Sequence, residues 1–135
     1  MTLFIKFLNT SENPDPSYKH INDAGFDLYS NEDVTIEPSQ TVLVDVGLRV
    51  DIPAGYEGQI NAPGTIDSGY KGPIMVAMRN LKNHEPFIIL KGERFSQMIV
   101  SEIPEVILQS VDKDTFFAEK TSRDEGGFGS TGNGW

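Results

Sequence analysis

Residues 42–52 read Val-Leu-Val-Asp-Val-Gly-Leu-Arg-Val-Asp-Ile, and every even-numbered position in this stretch is apolar. Alternation with a period of two is typical of a half-buried β-strand, because successive side chains of a strand point to opposite faces. A glycine inside such a pattern often marks a bend. The stretch therefore predicts one long strand, or two strands that meet at Gly47.

Shorter strands are predicted on both sides of this stretch, each bounded by Gly, Pro, Asn or Asp. No segment shows a sustained apolar repeat of 3.6 residues. Many short strands with almost no helix predict an all-β jelly roll or β-sandwich, and oligomerisation is a common way to cover the edges of such a domain. The other candidate strands are Leu3–Leu8, Phe26–Tyr29, Val34–Ile36, Gly58–Ile60, Ile74–Leu81, Phe87–Leu90, Phe95–Ile103 and Val106–Gln109.

Composition excludes several classes of function. With 135 residues the chain has room for one core, and it has no cysteine for a disulfide, a thiolate metal site or a thiol nucleophile. The net charge of −9, with only 11 basic residues, argues against a broad nucleic-acid-binding surface. No segment is apolar enough to cross a membrane and no signal-peptide pattern is present, so we expect no membrane partner and a cytoplasmic location.

The last fifteen residues, Thr-Ser-Arg-Asp-Glu-Gly-Gly-Phe-Gly-Ser-Thr-Gly-Asn-Gly-Trp, cannot form a core. We predict a β domain over residues 1–120 and a flexible Gly-rich C-terminal arm over residues 121–135. A disordered tail is the simpler interpretation. The arm nevertheless carries the groups that could close over a flat anionic ligand: Arg123 for a phosphate, Phe128 for stacking on a base, and glycine N–H groups for oxygens.

Three further motifs carry candidate site residues. In Asp23-Ala-Gly-Phe-Asp-Leu-Tyr29, the side chain of Asp27 faces away from its apolar neighbours, as would that of an ordinary solvated aspartate. In Gly92-Glu-Arg-Phe-Ser-Gln-Met-Ile-Val100, Gln97 lies in an apolar surround and, if buried, needs a partner. That partner could be a phosphate oxygen or a backbone carbonyl.

The third of these motifs is Asn61-Ala-Pro-Gly-Thr-Ile-Asp-Ser-Gly-Tyr-Lys-Gly72. Its Pro and Gly residues predict a tight hairpin whose backbone groups and Asn61 amide could recognise a base edge. Asp67 suits a plain Asx turn, but beside a bound phosphate chain its carboxylate could act as a general base on water. Tyr70 could pack flat against a sugar.

Together these motifs resemble the trimeric dUTPase family, and the resemblance runs from about Phe4 to Gly132. It includes the typical Gly-Leu-Arg-Val-Asp-Ile-Pro-Ala-Gly-Tyr-Glu-Gly segment at Gly47–Gly58. The resemblance implies a jelly-roll homotrimer with three shared active sites. It also implies hydrolysis of dUTP to dUMP and pyrophosphate, with Mg²⁺ bound mainly through the triphosphate and water rather than directly by side chains.

The resemblance also implies a role for each matching residue. Asp67 corresponds to the general base for the water that attacks the α-phosphorus, and Tyr70 to the ring under the deoxyribose that excludes a 2′-hydroxyl. Asp27 supports the region of the sugar, water and metal. The remaining matches bind substrate: Asn61, Gly64 and Ile66 at uracil, Gln97 at a phosphate, Arg123 at the γ-phosphate, Phe128 over uracil, and Gly129, Ser130 and Thr131 around the phosphates.

One family motif is missing. Pro-Arg-Ser followed by a short helix normally precedes the uracil hairpin, whereas here Gly55-Tyr-Glu-Gly-Gln-Ile60 runs directly into Asn61. A natural deletion, an engineered one, or a mobile segment left out of the sequence would each explain this. Losing two charged phosphate contacts, at roughly 1.5–3 kcal/mol each, costs roughly two to four powers of ten. A chain that truly lacks the motif is therefore expected to be weak or inactive.

Two other functions fit parts of the pattern. A non-catalytic nucleotide-binding or regulatory module on the same fold would tolerate the missing motif, but it would not need a water-activating carboxylate such as Asp67. An enzyme similar to dCTP deaminase would share the fold, but the Phe128-bearing arm and the Ile-Asp-Ser-Gly-Tyr sequence at 66–70 fit the dUTPase pattern better.

Overall fold

The computed structural model describes residues 2–61, 64–123 and 125–126 of the chain. It divides into two units, Met1–Glu105 and Val106–Trp135. The described part of the first unit holds ten strands: β1 Lys6–Asn9, β2 Gly25–Tyr29, β3 Val34–Ile36, β4 Thr41–Asp45, β5 Leu48–Asp51, β6 Tyr56–Ile60, β7 Gly64–Ile66, β8 Met75–Arg79, β9 Phe87–Ile89 and β10 Arg94–Glu102.

The alternating stretch at 42–52 forms two strands, β4 and β5, that meet at a bend at Gly47. The backbone of Gly47 has φ +69°, a left-handed conformation that favours glycine. Val44, Val50 and Ile52 on the even-numbered side are buried, while Leu43 on the odd side is 60% exposed. The predicted period of two and the predicted break are both confirmed.

All strand pairs are antiparallel and form four small sheets: β2-β10-β6-β7, β4-β8, β3-β9 and β1-β5. The main core lies between the four-stranded sheet and the 46–52 part of the 42–52 stretch, whereas Val44 of β4 packs in a second cluster with Val34, Ile36 and Ile89. Phe26, Ile60 and Met98 from the sheet pack in one cluster with Leu48 and Val50. Such face-to-face packing of antiparallel sheets confirms the predicted all-β jelly-roll class.

One predicted strand is wrong. Residues 106–109 form no regular structure and pair with no strand among the described residues. Val106, Ile107 and Leu108 are 68%, 84% and 92% exposed. Their apolar, β-branched character suits a strand, but a strand needs a partner, and the described chain supplies none.

The second unit holds the one described helix, α1 Lys113–Phe116. Asp112 caps it, because its carboxylate accepts a hydrogen bond from the backbone N–H of Thr115 at 2.7 Å. That bond lowers the pKa of Asp112 below its ordinary value, since it stabilises the ionised form. No helix among the described residues has the length and apolar character needed to span a bilayer.

Candidate active site

Strand β10 brings two of the candidate motifs into contact. It lies between β2 and β6, and Gln97 on β10 is directly opposite Asp27 on β2. The Gln97 side-chain amide lies 3.5 Å from Asp27 Oδ1, at the limit of a hydrogen bond. Gln97 is exposed, so the condition under which its side chain would need a buried partner does not arise. The alternation along β10 explains this, since the neighbouring Met98 takes the core-facing position.

The other edge of β10 holds the hairpin motif. Strand β6 pairs with β10, and the backbone N–H of Asn61, just after β6, donates to the carbonyl of Gln97 at 2.9 Å. The chain then turns back, so that Gly64 lies opposite Ile60 and Ile66 opposite Gly58. The predicted hairpin is confirmed in its two arms, on either side of residues 62–63, which lie outside the described residues. The sequence interpretation missed that its second arm is a strand, β7, in its own right.

Asp67 and Tyr70 follow β7 and line a surface pocket of about 280 Å³. Its walls are Thr65, Ile66, Asp67, Tyr70, Pro73 and Met75. The backbone carbonyl of Asp67 accepts a hydrogen bond from the N–H of Tyr70 at 3.2 Å. Within the described residues, no hydrogen bond or ion pair engages the Asp67 carboxylate, so it stays available to accept a proton from water.

The Tyr70 ring is held at its hydroxyl end. The hydroxyl donates to the backbone carbonyl of Pro73 at 3.0 Å, and the ring is 43% exposed. The ring also lies directly over Gly72, where an added Cβ would overlap the Tyr70 hydroxyl and Cζ. The absence of a side chain at Gly72 is therefore a condition for this ring position.

The Asp67–Tyr70 pocket and the Asp27–Gln97 pair stay separate within one chain. No residue of the pair lines the pocket, and no hydrogen bond between described side chains joins the two groups. The sheet thus gathers the motifs in one region, while their reactive side chains form two distinct groups.

The arm belongs to the second unit. Arg123 is described there, and its Nε donates to the carbonyl of Gly126 at 2.7 Å, while the N–H of Gly126 donates back to the carbonyl of Arg123 at 2.7 Å. The Arg123 side chain thus stabilises the short turn between Arg123 and Gly126. The four other predicted arm residues, Phe128, Gly129, Ser130 and Thr131, lie outside the described residues.

Two charged residues near the site were not selected from the sequence. Lys19 Nζ lies 3.0 Å and an Arg94 guanidinium nitrogen 3.5 Å from Asp27 Oδ2. Arg94 lies inside a selected motif, three residues before Gln97, so its position was a usable signal. Lys19 precedes Asp27 by eight residues in an irregular segment, and no periodicity connects the two.

Metal binding by side chains alone has little support in the described part of the chain. No group of three or more His, Cys, Asp or Glu side chains there is placed to hold an ion. The Asp27 carboxylate faces the Gln97 amide through Oδ1, and its Oδ2 already faces two cations.

Comparison with known proteins identifies one family. Residues 11–132 match the family model described as dUTPase. The deoxyuridine 5′-triphosphate nucleotidohydrolase of Clostridium kluyveri is 40% identical over 147 aligned positions, which cover 98% of this chain and 99% of that relative. Since 98% of 135 residues is about 132, about 15 of the 147 positions hold no residue of this chain.

Two solved structures share the fold. The dUTPase of Staphylococcus bacteriophage 80alpha, solved with dUpNHpp, is 25% identical, with a TM-score of 0.77 and coverage of 96% of this chain and 98% of that chain. A single-residue variant of the dUTPase from phage phi11 of S. aureus, whose structure concerns the coordination of a structural Mg(II) ion, is 21% identical. Its TM-score is 0.75, and the match covers 82% of this chain and 98% of that one.

Proposed function

This chain belongs to the dUTPase family and hydrolyses dUTP to dUMP and pyrophosphate, and on that premise we propose which of its residues carry the reaction and how they assemble. The observation that supports the assignment best is the position of Gln97. Its side chain faces Asp27, and its carbonyl binds the N–H of Asn61, so three motifs meet along one strand. Asp27, Gln97 and Asn61, three of the residues that match the family, thus lie together on, or directly after, neighbouring strands.

Asp67 is proposed as the general base. Its carboxylate takes a proton from the water whose oxygen attacks the α-phosphorus of dUTP, and the bond from that phosphorus to the bridging oxygen breaks, releasing pyrophosphate. The solvent-open position of Asp67 in the 280 Å³ pocket supports this role. Tyr70, in the same pocket, is proposed to lie under the deoxyribose, where the ring leaves no room for a 2′-hydroxyl.

The hairpin and the arm are proposed to hold the rest of the nucleotide. Asn61 and the backbone at Gly64 and Ile66 recognise uracil, which fits the place of Asn61 next to β10 and of Gly64 and Ile66 on the second arm of the hairpin. Gln97 contacts a phosphate, Asp27 supports the sugar and water region, and Arg123 binds the γ-phosphate. Phe128 stacks over uracil, while Gly129, Ser130 and Thr131 surround the phosphates as the arm, residues 121–135, closes over the domain of residues 1–120.

Mg²⁺ is the proposed cofactor. The family resemblance implies an ion held mainly by the triphosphate and water, and Mg²⁺ commonly takes only one or two carboxylates from the protein. When bound, the ion neutralises charge on the phosphates and so lowers the repulsion met by an attacking water. Asp27 is proposed to contact the water shell of the ion, as the family resemblance implies.

A homotrimer with shared sites is the proposed assembly. Two features support it: the Asp67 pocket and the Asp27–Gln97 pair are separate within one chain, and Val106, Ile107 and Leu108 leave apolar surface exposed. The mass in solution by light scattering tests the number of subunits. Mixed assemblies of Asp67→Asn and Gln97→Ala chains should regain part of the activity if the two groups come from different subunits.

The deciding experiment is pyrophosphate release with Mg²⁺ from dUTP beside dCTP, dTTP and UTP, on the chain with its mass confirmed. Selective release from dUTP is expected. Comparable release from dCTP or UTP would refute the proposed base and sugar contacts, and release of ammonia from dCTP would point to the deaminase alternative. A folded chain that binds dUpNHpp without releasing pyrophosphate from dUTP would instead be the regulatory module.

The missing Pro-Arg-Ser motif sets the expected rate. About 15 aligned positions of the Clostridium kluyveri relative hold no residue of this chain, which is enough to include that motif. We propose that the chain turns over dUTP more slowly than a relative that keeps the motif. Parallel assays of the two proteins test this, and cell fractionation tests the cytoplasmic location expected from the sequence.

A further inference from the structure

Two cationic side chains converge on a single carboxylate oxygen beside Gln97. Lys19 Nζ lies 3.0 Å and an Arg94 nitrogen 3.5 Å from Asp27 Oδ2, so the two nitrogens are no more than 6.5 Å apart. One negative charge faces two positive ones. The group therefore carries an excess positive charge, on a chain whose net charge is −9. Two like charges this close repel each other, and a bound anion would relieve the repulsion.

The segment that carries Lys19 is held in place on both sides of that residue, by the sheet before it and by a local turn after it. The ring of Tyr18 packs edge-on against Phe26 of β2, with centroids 5.6 Å apart and planes at 75°. Just after Lys19, the backbone N–H of His20 donates to the Asp23 carboxylate at 2.9 Å, and the N–H of Asp23 returns a bond to the His20 carbonyl at 3.1 Å. Because this segment is already ordered, less entropy is lost when the lysine engages a ligand.

The exposure of the three side chains indicates what a ligand would meet. Lys19 and Arg94 are 45% and 57% exposed, whereas Asp27 is 21% exposed. A molecule that approaches from solvent therefore meets the two cations more readily than the carboxylate between them. Gln97, whose amide faces the other Asp27 oxygen, supplies N–H donors at the same place.

We propose that Lys19 and Arg94 form a phosphate-binding subsite for the triphosphate of dUTP. An ammonium and a guanidinium within 6.5 Å of each other match the spacing of oxygens along a phosphate chain, and both form charge-assisted hydrogen bonds to it. The inference rests on the proposed function, since it requires dUTP to bind beside Gln97. The subsite also provides cationic phosphate contacts in a chain that lacks the Pro-Arg-Ser motif.

The test compares a ligand that has phosphates with one that has none. Affinity for dUpNHpp with Mg²⁺ is measured by calorimetry, and deoxyuridine is measured as a competitive inhibitor of dUTP turnover. Lys19→Met is expected to weaken dUpNHpp binding about tenfold, as for one lost charged hydrogen bond at a partly exposed site, and to leave deoxyuridine inhibition unchanged. Lys19→Arg keeps the charge and is expected to retain most of the affinity. Arg94→Met should act in the same direction as Lys19→Met.

Lys82→Met is the matched control. Lys82 is 56% exposed and pairs with Glu85 at 2.7 Å, so the variant makes the same chemical change at another carboxylate pair. Wild-type affinity for dUpNHpp in Lys19→Met would overturn the inference, as would equal losses for dUpNHpp and deoxyuridine. These results would leave the proposed function intact, provided that the wild-type chain releases pyrophosphate from dUTP. A wild-type chain that releases none would refute the proposed function, and the subsite with it.

Discussion

Replacing Gly72 by alanine isolates the contact that holds Tyr70 in place. The added Cβ would overlap the Tyr70 hydroxyl and Cζ and would lie 2.8 Å from Cε1. The backbone of Gly72 is not in the left-handed region, so alanine itself is compatible with the turn. The strain therefore falls on the ring, which is 43% exposed and is free to swing outward.

The cost to stability and the cost to catalysis should differ. Swinging the ring outward breaks the hydrogen bond from its hydroxyl to the Pro73 carbonyl, which at an exposed site contributes about 0.5–1.5 kcal/mol. The free energy of unfolding should therefore fall by no more than about 1.5 kcal/mol. A displaced ring, however, would leave its proposed place under the sugar, and a misplacement of about 1 Å can cost about a hundredfold in rate. We expect kcat/KM for dUTP to fall by about tenfold to a hundredfold.

The specificity should change together with the rate. The preference for dUTP over UTP should shrink by about tenfold, or about 1.4 kcal/mol, because the ring no longer blocks a 2′-hydroxyl. Pyrophosphate release from the two nucleotides, measured side by side, gives both values. Tyr70→Phe is the control, since it removes the hydroxyl bond but leaves the ring over Gly72. That variant should lose similar stability and keep its preference. Wild-type specificity in Gly72→Ala would refute the proposed role of Tyr70.

Three further substitutions test the proposed site and the fold. Asp67→Asn should lower kcat by about 10²–10⁴-fold while dUpNHpp binding stays within about threefold, because the amide keeps the shape but cannot accept the proton; near-normal turnover would exclude Asp67 as the base. Arg123→Ala should raise KM for dUTP by about tenfold to a hundredfold and leave dUMP inhibition unchanged, since dUMP has no γ-phosphate; equal losses for both ligands would contradict that contact. Met98→Ala should lower the free energy of unfolding in urea by about 2–5 kcal/mol, because Met98 is fully buried between β2 and β6. A loss below about 1 kcal/mol would mean that the sheet collapses easily around the missing side chain.

Local patterns predicted most of the strands. The alternation over 42–52, with its break at Gly47, corresponds to β4 and β5, and the prediction at Val34–Ile36 matches β3 residue for residue. These predictions succeed because burial of one face selects apolar side chains at every second position. Where a segment is apolar but finds no partner strand, as at Val106–Gln109, the same pattern misleads.

The identities of the candidate site residues were also accessible from the sequence, since Asp27, Asp67, Tyr70 and Gln97 all lie in motifs that resemble one family. The spatial grouping of these four residues could not be predicted from the sequence. Composition and spacing gave no reason to expect that Gln97 faces Asp27 while Asp67 opens into a separate pocket, because strand pairing depends on contacts between residues far apart in the chain.

By itself the sequence determined an all-β protein, its strand-forming stretches and the family whose reaction it carries out. The fold class and the strands follow from residue types at short, regular spacings, and the family follows from motifs that resemble it. Only the tertiary structure decided that Lys19 and Arg94 meet at one oxygen of Asp27, and that the empty position at Gly72 accommodates the Tyr70 ring. Lys19 and Arg94 are 75 residues apart in the chain and came together because β10 pairs with β2. The energy of such long-range pairing comes from the whole sheet and is not encoded in any local pattern.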